Sequence, residues 1–189
     1  MLLVGAAVAG AIALRRPPAP AVPAALPDHG VLPGFALTDH RGLPFSRTEL
    51  HGRVWVVGFI FTRCAGQCPL MTQRMAALRD EPGLNLLSIT VDPSHDTPEV
   101  LARYADHHGA SDHWLFVTGD PVAVFDLSHL GFKLAVAEGT TPEEPIAHST
   151  RLVLVDAQGH LRGYYETNEP EAMEQLRRDA RQLLDGLRP

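Results

Sequence analysis

The sequence predicts a single α/β domain in which helices cover a mixed central sheet. Residues 54–61 and 84–91 are continuous apolar runs of the kind that buried central strands show, and helix-start signals follow each of them. Residues 151–155 and 161–165, joined by a turn at 156–159, form the clearest hairpin pattern in the chain. Strands that alternate with helices and then end in a hairpin indicate both strand directions within one sheet.

The remaining elements follow from local patterns in chain order. Phe35 and Leu37 alternate with polar neighbours ahead of turn residues 39–42, which predicts an N-terminal hairpin. A proline near the first turn favours a helix over residues 68–79. The motif Asp96-Thr97-Pro98-Glu99, with a capping side chain, a proline in the first turn and an early acid, favours the start of a second helix. The other predictions are the end of that helix near 107, a strand at 114–117, a helix at 121–130 and a terminal amphipathic helix at 171–187.

Length, composition and charge narrow the class of protein. The chain has 189 residues, a length that one domain uses almost completely. Its 16 basic and 22 acidic side chains give a net charge of −6 with no basic block, which argues against nucleic acid as the main partner. The hydrophobic fraction of 45% and charged fraction of 20% exclude a wholly disordered chain. The two cysteines and ten histidines therefore become the main candidates for chemistry.

The N-terminus is unlike the rest of the chain. Residues 1–14 are apolar and uncharged, and Arg15 and Arg16 follow them. The run is shorter than the roughly 20 residues of a membrane span, and a signal sequence would carry its cations first. We interpret it as an anchor or a truncated anchor; a cytosolic protein with an apolar tail is the alternative. Residues 15–33 contain six prolines among alanines and predict an extended linker, which places the domain at 34–189.

The two cysteines, Cys64 and Cys68, lie where the strand at 54–61 ends and the helix at 68–79 begins. Ligand sites collect at this edge of an open α/β sheet, and a helix N-terminus favours the thiolate over the thiol. Two sulfurs held here can form a disulfide or bind a soft metal such as copper or zinc. A structural bridge or a pair of buried thiols is the plainer alternative, although closing so short a loop stabilises little.

A metal held by two thiolates needs a third ligand, for which neutral imidazole is the expected type. His148 is distinguished by its position directly before the predicted strand at 149–155, opposite the kind of edge that carries Cys64. The other histidines fall in loops, linkers, turns or helix ends and have a weaker claim: His29, His40, His51, His95, His107, His108, His113, His129 and His160.

A set of motifs in a fixed order connects the chain with a known family. The motifs are Phe61-Thr62-x-Cys64-x-x-x-Cys68-Pro69, Ser88-Ile89-Thr90-Val91-Asp92-Pro93, Asp96-Thr97-Pro98-Glu99, Thr118-Gly119 and His148-Ser149-Thr150. Together they resemble the Sco/SenC family over about residues 35–184. The resemblance implies a thioredoxin-like fold and a role as a copper chaperone that helps to assemble the copper A centre of cytochrome c oxidase.

The resemblance also implies roles for particular residues. Cys64, Cys68 and His148 correspond to the copper ligands, and the two cysteines to a redox-active disulfide pair. Asp92 corresponds to an acidic residue near the site that holds the copper-binding arrangement. Without the resemblance, Asp92 and Pro93 would be interpreted as a turn that ends a strand.

The chain departs from the family pattern at a few positions. Ala65 stands where a proline often follows the first cysteine, which predicts a looser loop. Ala147 stands where an Asp often precedes the histidine, which puts a partner contact or supporting role there in doubt. Met71 and Met75 could offer thioethers from the helix, but methionines at helical spacing are more often part of the core.

The resulting functional hypothesis is a metallochaperone rather than an enzyme. It would bind one copper ion, as copper(I) or alternatively copper(II), and deliver it to cytochrome c oxidase subunit II. The N-terminus would attach it to the membrane with the domain in the periplasm, where a second copper chaperone is a further expected partner. A thiol–disulfide oxidoreductase that reduces the subunit's cysteines, or a redox or copper sensor, is the alternative. A peroxidase is weaker, because Val57 and Phe61 break the expected Pro-x-x-x-Thr-x-x-Cys motif.

Overall fold

The computed structural model describes residues 25–64, 66, 68–139 and 146–188. The strands within these ranges are β1 (Ala36–Asp39), β2 (Pro44–Ser46), β3 (Val54–Ile60), β4 (Leu84–Thr90), β5 (Trp114–Thr118), β6 (Val136–Glu138), β7 (Ile146–His148), β8 (Arg151–Val155) and β9 (Leu161–Glu166). The α-helices are α1 (Cys68–Ala76), α2 (Pro98–His107), α3 (Pro121–Asp126) and α4 (Pro170–Asp185). The expected apolar segment at 1–14, the linker up to residue 24, and Ala65 lie outside the described residues.

Seven of these strands form one mixed sheet, in the order β2-β1-β5-β4-β3-β8-β9. Strands β3, β4 and β5 run parallel to one another, and the remaining neighbours pair antiparallel. The β3–β4 register runs from Val54 opposite Leu84 to Ile60 opposite Thr90. The mixed sheet and the N-terminal hairpin that the sequence predicts are thus confirmed.

The three parallel strands decide where chemistry can gather. Because β3, β4 and β5 point the same way, the loops that follow them meet at one edge of the sheet, the edge where open α/β sheets bind ligands. The loop after β3 carries Cys64 and leads into α1, which begins at Cys68; the loop after β4 carries Asp92 and Asp96. This edge is called the carboxyl edge below.

Helices hold the sheet in place by burying one apolar face each. Helix α1 packs on β3, α2 on β5, and α4 on β9 and β3. In α4 the buried side chains recur at the spacing of one helix face, with Met173, Leu176 and Ala180 each at most 3% exposed. Met71 and Met75 of α1 are buried in the core, as expected for methionines at helical spacing.

Among the helices that the described residues form, none is long and apolar enough to span a bilayer.

The packed domain begins earlier than the expected boundary at residue 34. Leu32 is 0% exposed, and the backbone N–H of His29 donates to the Leu161 carbonyl at 2.9 Å. The N–H of Leu161 in turn donates to the Gly30 carbonyl at 2.9 Å. The part of the expected linker from His29 to Leu32 therefore pairs its backbone with the hairpin formed by β8 and β9 and the turn between them.

Two other elements differ from expectation. Strands β6 and β7 form a separate two-stranded ribbon that the sequence does not predict, because three residues are too few to show a period of two. Helix α3 ends at Asp126, and a π-helical turn, Leu127–Gly131, replaces the rest of the expected helix. The ribbon matters for function because β7 ends at His148.

A stability prediction follows from Gly58, in the middle of β3. A Cβ at this position would lie 2.9 Å from Cδ2 of the buried Leu152 and 3.7 Å from Cε of Met71. We expect Gly58→Ala to lower the free energy of unfolding by about 1–3 kcal/mol, the usual cost of overpacking a core. Chemical denaturation measures this change. Gly34→Ala is the matched control, because nothing lies within 4 Å of its added Cβ; equal stability of the two variants would contradict the packing described.

Candidate metal centre

The carboxyl edge holds the two cysteines at different depths. Cys64 follows β3 by a short turn, in which its backbone N–H donates to the Phe61 carbonyl at 3.3 Å. Cys68 is the first residue of α1 and only 1% exposed, whereas Cys64 is half-buried. Both side chains are thiols outside any disulfide. One sulfur is therefore accessible, and the other is enclosed by the protein.

His148 brings a third ligand atom to the same place. It ends β7, and its ring meets the Phe61 ring edge to face at 5.8 Å. Its Nε2 lies 3.0 Å from Sγ of Cys68. The ligand atoms of Cys64, Cys68 and His148 all lie within 4.8 Å of one another, and this is the one such cluster of metal-ligating side chains within the described ranges. The three residues selected from sequence thus meet at one point.

A hydrogen bond fixes how the imidazole faces the sulfurs. The other ring nitrogen, Nδ1 of His148, lies 3.0 Å from the backbone carbonyl of Ser149. A carbonyl only accepts, so Nδ1 carries the proton in this contact, and neutral imidazole then keeps its lone pair on Nε2. Histidines that bind metals are commonly oriented in this way, by a carbonyl or carboxylate on the far nitrogen.

Burial controls the protonation of the enclosed cysteine. The low polarity around Cys68 raises the pKa of its thiol far above the ordinary value, and its hydrogen bond with Cys64 raises it further. A hydrogen bond with the backbone of Phe61 acts in the opposite direction and is outweighed. Desolvation of the charged form thus opposes the stabilisation of a Cys68 thiolate that the helix N-terminus was expected to provide.

Asp92 lies beside the cysteine loop and outside the three-residue cluster. Its carboxylate, 7% exposed, accepts a hydrogen bond from Nε of Arg63 at 2.7 Å. Arg63 is the residue directly before Cys64, and about half of its side chain is exposed. Asp92 can therefore influence the centre through the backbone that leads into Cys64.

Asp96 belongs to the helix-start motif Asp96-Thr97-Pro98-Glu99 but does not cap α2. The capping side chain that the motif predicts is that of Thr97, which accepts a hydrogen bond from the backbone N–H of Val100. Asp96 is 0% exposed and bonds to Thr62 and Thr90 instead. The only signal in the sequence is a second polar residue ahead of the helix, which does not show where its side chain points.

The remaining histidines are not part of the metal cluster. None joins it in the described part of the chain. His40 packs edge to face on Phe116, and burial lowers the pKa of its imidazole. His160 pairs with Asp28 at 3.0 Å. Their weaker claim as ligands agrees with these positions.

Two sulfurs and one imidazole nitrogen can do two kinds of chemistry. As thiolates the sulfurs are soft ligands, which select copper(I) or zinc over hard cations such as magnesium. As neighbouring thiols they can also be oxidised to a disulfide, with release of two electrons and two protons. The two states exclude each other, because a sulfur in a disulfide is no longer a thiolate ligand.

Comparison with known proteins gives the following matches. The SCO1/SenC family model matches residues 24–185. A relative in Stutzerimonas stutzeri, whose name describes copper binding, is 32% identical over 170 residues, 86% of this chain and 81% of the relative. BsSco, reported with a disulfide switch as a member of the Sco family of cytochrome c oxidase assembly proteins, superposes with a TM-score of 0.71 at 25% identity, over 84% of this chain and 97% of its own.

A fourth match concerns the fold alone. Bradyrhizobium japonicum ScoI, solved with copper bound, has a TM-score of 0.61 at 22% identity, over 79% of this chain and 99% of its own. These similarities confirm the α/β, thioredoxin-like fold that the sequence predicts.

Proposed function

The chain belongs to the SCO1/SenC family, and we propose that it is a copper metallochaperone for cytochrome c oxidase. The observation that carries the proposal is the convergence of three ligand atoms, from Cys64, Cys68 and His148, within 4.8 Å. These residues bind one copper ion per chain. The accepting site is the copper A centre of subunit II.

Copper is the metal that the donor set and the relatives both favour. Soft thiolates select copper(I) or zinc, and copper stands above zinc in the affinity order of divalent ions. The name of the Stutzerimonas stutzeri relative describes copper binding, and the Bradyrhizobium japonicum structure contains copper. The Ser149 carbonyl supports this use, because it keeps Nε2 of His148 directed at the sulfurs.

Delivery requires that the ligands can be exchanged one at a time. Cys64 is half-buried and Cys68 enclosed, so an acceptor thiolate or imidazole reaches the Cys64 side first. Asp92 accepts a hydrogen bond from Arg63 and thereby stabilises the exposed side of the loop.

We propose that the domain lies in the periplasm and is attached to the membrane through the N-terminus, because copper A centres face that compartment. Another periplasmic copper chaperone is a further candidate partner.

The pair of neighbouring thiols also supports a second function. Cys64 and Cys68 could reduce the cysteine pair of subunit II by thiol–disulfide exchange and become a disulfide themselves. BsSco is reported with a disulfide switch. The two functions differ in one respect that can be measured: only copper delivery needs His148.

A transfer assay tests the proposal. The reduced chain, loaded with one equivalent of copper(I), is mixed with the metal-free, reduced copper A domain of subunit II, and the copper content of each protein is measured after separation. The proposal predicts that copper appears in the acceptor. If the copper stays on the chain, and the copper-free, reduced chain instead reduces an oxidised acceptor while Cys64 and Cys68 become a disulfide, the oxidoreductase function replaces the chaperone function.

The raised pKa of Cys68 predicts the pH dependence of copper binding. Its thiol is protonated throughout the neutral range in the metal-free protein, so binding copper must displace a proton. The apparent affinity should therefore fall as pH falls, by about tenfold per pH unit for each proton released. Competition with a chelator of known pH dependence, measured at three pH values between 6 and 8, gives the slope; a flat profile would contradict the protonated starting state.

A further inference from the structure

A carboxylate that is wholly enclosed lies beneath the cysteine loop. Asp96 is 0% exposed, and within the described residues its carboxylate accepts hydrogen bonds from residues at the ends of two neighbouring strands. Its Oδ2 accepts from the backbone N–H of Thr62 at 3.1 Å and from Oγ1 of Thr90 at 2.5 Å. Its Oδ1 accepts from Oγ1 of Thr62 at 2.5 Å. Thr62 lies two residues after the end of β3 at Ile60 and two residues before Cys64.

The turn that carries Asp96 is itself held firmly. The N–H of Asp96 donates to the Asp92 carbonyl at 2.9 Å, and the N–H of Asp92 donates to Oγ1 of Thr90 at 2.9 Å. Two carboxylates from one turn thus reach two consecutive residues of the cysteine loop: Asp96 bonds Thr62, and Asp92 bonds Arg63. Hydrogen bonds therefore restrain the loop at the two residues that directly precede Cys64.

We propose that Asp96 is a positioning residue for the metal centre, acting through Thr62 to hold Cys64 at the right distance from Cys68 and His148. This inference deepens the proposed function. Its prediction about copper affinity rests on that function, whereas its prediction about the disulfide does not. Burying a carboxylate is costly unless its hydrogen bonds are made, so this contact has one defined geometry. A loop fixed in this way loses less conformational freedom when its sulfur is captured by copper or by the second sulfur.

The chain offers a matched control for this role. Asp179 of α4 is also buried, 8% exposed, and accepts hydrogen bonds from Tyr165 Oη at 2.7 Å and Gln175 Nε2 at 2.6 Å. It is a buried carboxylate bonded to a hydroxyl, as Asp96 is, but it holds α4 against β9. A change at Asp179 reports the general cost of disturbing a buried carboxylate, without touching the cysteine loop.

The test compares Asp96→Asn and Thr62→Val with Asp179→Asn and the unaltered chain. The first readout needs no metal: the dithiol–disulfide equilibrium of Cys64 and Cys68 in glutathione buffers. The second is copper(I) affinity by competition with a chelator, and thermal unfolding gives stability. We expect both loop variants to favour the dithiol about tenfold more, because a looser loop lowers the effective concentration of one thiol for the other. They should also bind copper(I) about 10- to 100-fold more weakly, as supporting residues of metal ligands do.

The outcomes separate positioning from stability. Asp179→Asn should lose stability with both other readouts unchanged. If Asp96→Asn behaves like Asp179→Asn, Asp96 is only structural and the proposal is overturned; if Asp96→Asn does not fold, Thr62→Val decides by the same criteria. If the unaltered chain binds no copper, the proposed function fails, while the glutathione equilibrium still decides whether Asp96 positions Cys64.

Discussion

Replacing either cysteine by serine should reduce the copper(I) affinity by about a thousandfold or more. Apparent binding free energies of structural zinc sites in small peptides are about 10–16 kcal/mol, and on that scale one ligand of three contributes roughly 4 kcal/mol. A serine hydroxyl is a hard oxygen and does not replace a thiolate for a soft ion. Chelator competition on reduced Cys64→Ser and Cys68→Ser measures the loss.

The two cysteine variants are not equivalent as experiments. Cys68 is 1% exposed, so Cys68→Ser also buries a hydroxyl in the core and should cost some stability. Cys64 is half-buried, so Cys64→Ser is the cleaner variant. Both variants should lose tight copper binding, while their circular dichroism spectra should remain those of a folded protein. Copper affinity that survives in folded Cys64→Ser would remove this sulfur from the centre.

Replacing His148 by alanine should weaken copper(I) binding by at least about a hundredfold, because residues that merely support a ligand are already worth about 10- to 100-fold. The disulfide between Cys64 and Cys68 should still form, since the imidazole takes no part in the sulfur–sulfur bond. Copper competition and thiol titration after mild oxidation, carried out on the same preparation, measure both effects.

His113→Ala is the matched control for the loss of His148. His113 is exposed and lies directly before β5, outside the metal cluster, so its removal should change neither copper affinity nor disulfide formation. Full copper affinity in His148→Ala would disprove the three-ligand centre. It would then favour the oxidoreductase function, which needs only the cysteine pair.

The parts of the fold that could be predicted are those with strong local patterns. The buried strand at Val54–Ile60 and the one at Leu84–Thr90 end within one residue of the expected positions, because long apolar runs leave little choice of structure. The position of Cys64 and Cys68 at a strand end followed from the same run. His148 was selected by its place before a strand and, more specifically, by the family resemblance.

The parts that could not be predicted depend on contacts between distant segments. The ribbon at Val136–Glu138 and Ile146–His148 is too short to show periodicity. Asp96 has the sequence signature of a helix cap, and only the tertiary structure turns its side chain toward Thr62, 34 residues away along the chain. The high pKa of Cys68 likewise arises from burial, which opposes the helix N-terminus that the sequence does reveal.

The measurement that tests the central claim most directly is copper counting on the two redox states of the full chain. The reduced protein and its disulfide form are each titrated with copper(I) against a chelator, and copper per chain is determined after desalting. A centre made of Cys64, Cys68 and His148 predicts one tightly bound copper in the reduced protein and none in the disulfide form. Equal copper binding in both forms, or none in the reduced form, would contradict it.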